Sequence, residues 1–228
     1  MTCTGPRNPA VRALLIGLFA IVVESNSLAR AEDKPAAAAD KPVALFDGKT
    51  LAGWKVTEFG GQGDVTVEDG VIVLEMGSNM TGITIADTVK IPKIDYEISL
   101  EAMRIDGDDF FCGLTFPVND KSLSFIVGGW GGATVGISSL DGADASSNQT
   151  TTYQDFDRNK WYKIRLAVTQ KKLQAWIGEK KVVDVEHAGK ELSIRSEVAL
   201  SKPLGFSTWL TKAGLRNITI RPLPAAAK

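Results

Sequence analysis

The chain of 228 residues holds one histidine, His187, and two cysteines, Cys3 and Cys112. A single histidine gives no support to a histidine metal cluster or to a Ser-His-Asp triad. Cys3 belongs to an N-terminal leader, so Cys112 has no partner with which to close a disulfide in the remaining chain. Charge of one sign is also lacking, with 26 Lys and Arg against 27 Asp and Glu. That balance excludes the broad basic surface that nucleic acid or an anionic membrane recruits. The longest apolar run, Ala13 to Val23, is too short for the roughly twenty residues a membrane-crossing helix needs. No long segment repeats its apolar residues with the helical period.

The run has Arg7 and Arg12 before it and Ala29-Arg30-Ala31 after it, the layout of a secretory signal peptide over residues 1–31. The expected product is secreted or periplasmic, with no membrane insertion after cleavage near Ala31. Residues 32–42, "EDKPAAAADKP", offer charge, proline and alanine but nothing to bury, and read as a flexible linker. The folded unit is expected over 43–223, with a tail at 224–228.

Within that unit, short β-type runs alternate with turn signals, including Asp-Gly pairs at 47, 69, 106 and 141. "IDYEISLEAM" sets Tyr96, Ile98, Leu100 and Ala102 against Asp95, Glu97, Ser99 and Glu101, as a strand with one wet face should. "WYKIRLAVTQ" repeats the pattern, and "FFCGLTF" is apolar on both faces, which suits a central strand. About a dozen strands in one domain predict an all-β, two-sheet antiparallel sandwich.

Several words in the sequence resemble the 3-keto-disaccharide hydrolase domain family: "LFDGKTLAGW" at 45–54, "VEDGVIVLE", "DRNKWYKIRLAV", "KLQAWIGEKKVVDV" and the closing "LRNITIRPL". The resemblance spans 43–223 and implies a concanavalin A-like jelly roll, secreted by a bacterium, that cleaves or binds carbohydrate. In such chemistry a carbonyl at C3 of the sugar acidifies the C2 proton, and elimination needs a base and a group to stabilise the enolate, often a divalent metal. Family members commonly carry an Asn-Ser-Gly strand ending in Arg. Here Phe111, Cys112 and Gly113 lead instead to Pro117, and the positions where the family tends to place Gln and His hold Ser207 and Trp209. The alternative is a non-catalytic, lectin-like module.

The most conspicuous word is "GGWGG", Gly128 to Gly132. A phosphate loop would need lysine where Ile137 stands and would open a helix, whereas "TVGISSL" follows as a strand. Trp130 is then either a lid on the core or a flat apolar face for a sugar ring. The candidate ligand-binding residues are Trp130, Trp209, Ser207 and Tyr153, with an oligosaccharide or polysaccharide as partner. "DGDD" places Asp106, Asp108 and Asp109 in one turn, the candidate ligands for Ca²⁺ or a catalytic divalent ion, with a solvated turn as the alternative. Glu97 and Glu101 are expected on solvated strand surface, too far apart for an acid–base pair. His187 is expected in a surface loop, Cys112 as a buried hydrophobe, and Trp54 and Trp161 in the core. Catalytic residues are not assignable from the spacing.

Overall fold

The computed structural model describes residues 41–224; the expected signal peptide over 1–31, residues 32–40 of the expected linker and residues 225–228 lie outside the described residues. Fifteen strands are numbered here in chain order. One antiparallel sheet contains β1 (Val43–Ala44), β3 (Val65–Glu68), β4 (Val71–Leu74), β6 (Tyr96–Gly107), β11 (Trp161–Val168), β12 (Lys172–Ile177), β13 (Lys180–Glu186) and β15 (Thr211–Pro222). Its order is β13-β12-β11-β6-β15-β4-β3, with β1 paired to β15. The other contains β2 (Trp54–Val56), β5 (Met80–Ile85), β7 (Cys112–Val118), β8 (Lys121–Gly129), β9 (Thr134–Ser138), β10 (Thr152–Tyr153) and β14 (Gly205–Trp209), in the order β10-β9-β8-β7-β14-β5-β2. The two sheets form the expected jelly-roll sandwich, and "FFCGLTF" supplies a central strand, β7.

Alternation assigns the faces. Tyr96, Ile98, Leu100 and Ala102 of β6 are all within 2 % of complete burial and meet Leu114, Phe116, Phe125, Ile137 and Phe206 of the opposite sheet. Tyr96 ties the layers together, because its hydroxyl donates to the Pro117 carbonyl at 2.6 Å. Burial pushes that phenol's pKa well above its ordinary value.

The outward face of the eight-stranded sheet departs from the sequence reading at two places. Glu97 is not solvated; it is buried between Arg165 and Arg221, each at 2.9 Å, while Glu101 pairs with Arg216 at 2.7 Å. These carboxylates are paired because they lie opposite cations on neighbouring strands. Trp54 is a core residue, but Trp161 is not. It stands on the outer face, half-buried under the Arg216 guanidinium, 4.0 Å from the ring centroid. Trp176 lies similarly beneath Arg165 at 3.8 Å.

Candidate functional site

The same alternation leaves Met80 of β5, Ser124 and Ile126 of β8, Ser138 of β9 and Trp209 of β14 on the outward face of the seven-stranded sheet. Two segments contribute to a hollow on this face. One carries the 3-10 turn Ser196–Ser201, and the other is the β8–β9 connection with Trp130 at its tip. Between them lies a cavity of about 250 Å³. Met80, Ile126, Val198 and Phe110 form its apolar floor, and Trp130 and Trp209 are among its walls. Trp130 is 44 % exposed, so it is a wall open to solvent and not a lid on the core.

The glycines around Trp130 have a cause the sequence reading missed. Arg104 is buried, and its guanidinium donates to the carbonyls of Gly132 at 2.9 Å, Gly128 at 3.1 Å, Asp109 at 3.2 Å and Phe156 at 3.5 Å. It also lies 5.2 Å from the Phe111 ring centroid. Among the described residues no carboxylate pairs with it directly, and desolvation lowers its pKa, with Asp108 and Asp109 acting in the opposite sense. A Cβ on Gly128 would come within 2.6 Å of Arg104 Nη2, and Gly128, Gly131 and Gly132 all have positive φ. The loop thus wraps over a buried arginine, and Trp130 itself takes the left-handed conformation at φ 48°.

Asp109 completes the clamp. Its Oδ1 accepts from the backbone amides of Phe110 (2.7 Å) and Trp130 (3.2 Å), and its Oδ2 accepts from Gly131 at 3.4 Å. On the other side of the cavity Arg195 donates to Asp144 and Glu197, both at 2.7 Å. The Arg195 hydrogen bond holds the Glu197 carboxyl down at about 2. Burial pulls Asp144 the other way, but hydrogen bonds from Ser146 and the Arg195 charge outweigh it, leaving its pKa lowered. A carboxylate fixed this firmly in its charged form is a weak proton acceptor at neutral pH.

The sequence matches the 3-keto-alpha-glucoside-1,2-lyase-like domain family over residues 41–221. The chain belongs to that family. No protein with a curated description matches the sequence. Among solved structures, a putative glycosyl hydrolase from Parabacteroides distasonis superposes with a TM-score of 0.51 at 16 % identity, covering 80 % of this chain and 94 % of that one. A Bacillus subtilis protein of unknown function with a galectin-like fold gives 0.53 at 11 % identity, over 75 % and 90 %. The Crh5 transglycosylase in complex with NAG gives 0.56 at 10 %, over 83 % and 86 %. At these identities the likeness is one of fold.

Within this lyase-like domain the predicted residues separate. Trp130 and Trp209 border the same cavity. Ser207 lies on the same face as Trp209, two residues earlier, but is completely buried, with its hydroxyl 3.4 Å from the Gly113 carbonyl. Tyr153 is 67 % exposed on the edge strand β10 and does not line the cavity.

The three aspartates also part company. Asp106 and Asp108 face Arg158 at 3.1 and 3.0 Å, while Asp109 turns to the Trp130 loop. Among the described residues no three His, Cys, Asp or Glu side chains converge as a metal would require. The cavity's two carboxylates, Asp109 and Glu197, are held by backbone amides and by a guanidinium, so this donor set does not fit a divalent ion. His187 is a correction to the expected surface loop: it is 8 % exposed, and its Nε2 donates to the Thr169 carbonyl at 2.8 Å, away from the cavity. Cys112 faces the core as expected, and burial pushes its thiol up to about 12.

Proposed function

We propose that this domain binds carbohydrate outside the cytoplasm, seating a sugar ring at the cavity between Trp130 and Trp209. The observation that carries this reading is the meeting of two tryptophans at one cavity whose carboxylates are already committed to protein partners. Tryptophan offers a pyranose a flat apolar face and an indole donor at the edge. The family's name concerns the cleavage of a glucoside, and a transglycosylase with NAG bound shares the fold, which supports a sugar as the ligand class. The export expectation rests on the Arg-flanked run Ala13 to Val23.

The test is retention of the purified protein on a panel of immobilised monosaccharide glycosides and polysaccharides. Trp130→Ala is expected to abolish retention while leaving the melting temperature near the wild-type value. Loss of retention together with a large fall in melting temperature would assign Trp130 to stability instead.

Family membership favours a second reading, cleavage of a 3-keto-glycoside. Its base would have to be Glu197 or Asp109, the only carboxylates lining the cavity among the described residues. Incubation with a 3-keto-disaccharide and a divalent metal separates the two readings. Release of monosaccharide that Glu197→Gln or Asp109→Asn abolishes would establish cleavage.

A further inference from the structure

Resting on the carbohydrate reading, we infer that the ligand of this cavity is a sugar bearing an apolar substituent, and that an aryl or similarly apolar aglycone fills the floor while the ring lies at the tryptophan walls. The floor is formed by Met80, Phe110, Ile126 and Val198, four side chains with no strong hydrogen-bonding group. The polar groups that do line the cavity are largely engaged. Ser124 is completely buried and its hydroxyl lies 3.1 Å from that of Thr115, and the Ser138 hydroxyl lies 3.4 Å from that of Ser139. Asp109 accepts from three backbone amides, and Arg195 spans Asp144 and Glu197.

A bare pyranose driven into such a floor would strip water from several hydroxyls and find few free partners for them. An apolar group loses nothing there and covers the small apolar surface that Met80, Phe110, Ile126 and Val198, at 3–9 % exposure, still present to the cavity. Size agrees with this division. A cavity of about 250 Å³ accepts one group of ring size and not an oligosaccharide. The half-exposed Trp130 indole remains outside that group to carry the sugar.

Calorimetric titration of the purified protein with paired methyl and 4-nitrophenyl glycosides of glucose, galactose, xylose and N-acetylglucosamine, in both anomers, tests the inference, with free 4-nitrophenol as the third arm. For at least one sugar the 4-nitrophenyl glycoside is expected to bind at least tenfold more tightly than both its methyl counterpart and free 4-nitrophenol. Val198→Phe, which fills the floor from the 3-10 turn, is expected to collapse that preference towards unity. Ile126→Phe does the same from β8 should the turn variant fail to fold. Equal affinities for methyl and aryl glycosides would overturn the apolar-substituent inference and leave the carbohydrate reading standing. Binding of none of the glycosides, or of 4-nitrophenol as tightly as its glycosides, would overturn both.

Discussion

Replacing Arg104 by methionine removes the donor that four backbone carbonyls share, those of Asp109, Gly128, Gly132 and Phe156. Stranding buried acceptors costs about 1–3 kcal/mol each when no water reaches them. Two opposing effects reduce the sum: the variant no longer buries a charge, and it no longer hides an Nε that has no hydrogen-bond partner among the described residues. A net destabilisation of about 2–4 kcal/mol is expected, which in a domain of this size lowers the melting temperature by roughly 5–15 °C. Arg104→Lys should fall in between, because an ammonium keeps the charge but cannot fork to carbonyls on three chain segments. Thermal unfolding followed by circular dichroism measures the effect. A melting temperature for Arg104→Met within about 2 °C of wild type would refute the claim that this arginine holds the tryptophan loop.

The loop glycines give a sharper comparison. Gly131→Ala meets no atom within 4 Å and carries only the left-handed backbone penalty at φ +84°, about 1–2 kcal/mol. Gly128→Ala, at φ +79°, adds a Cβ within 2.6 Å of Arg104 Nη2, and denaturant unfolding should show it the more destabilised by about 1 kcal/mol or more. With its thiol pushed up to about 12, Cys112 should resist a disulfide reagent at pH 8 until denaturant is added; rapid labelling of the folded protein would contradict its burial. For Glu197 the folded carboxyl titrates near 2 against an ordinary 4.5, so its pairing with Arg195 stabilises fully above about pH 5 and is lost as the pH falls from 4.5 towards 2. The stability difference between wild type and Glu197→Gln, at most about 1 kcal/mol for a largely exposed pair, should therefore close over that window, and a difference constant down to pH 2 would contradict it.

The sandwich was legible because strands such as β6 and β12 alternate, and β6 shows both the strength and the limit of that signal. Tyr96, Ile98, Leu100 and Ala102 point inward as their spacing requires. The same parity carries on to Arg104, and an arginine at the end of an inward-facing set was the available signal for the buried clamp under the glycine loop. Trp130 and Trp209 were legible as candidates, one from its glycine setting and one from the family's word order. Their meeting at one cavity depends on β8 and β14 lying on either side of β7, which no local pattern encodes. Pairings between residues far apart in sequence were hidden for the same reason. Glu97 looks like wet strand surface until Arg165 and Arg221 are brought to its two sides, and Asp109 looks like a metal ligand until the Trp130 loop turns its amides onto it. His187 sits in a polar stretch, yet the Thr169 carbonyl draws it inward.

The central claim is that the ligand sits between Trp130 and Trp209, and the five tryptophans make it directly observable. Each indole N–H gives its own signal in a ¹H–¹⁵N correlation spectrum. On saturation with a glycoside that binds, the signals of Trp130 and Trp209 should move, while those of core Trp54 and of Trp161 and Trp176, on the far sheet, stay in place. Movement of Trp161 or Trp176 with Trp130 and Trp209 unchanged would place the ligand on the other face and contradict the account.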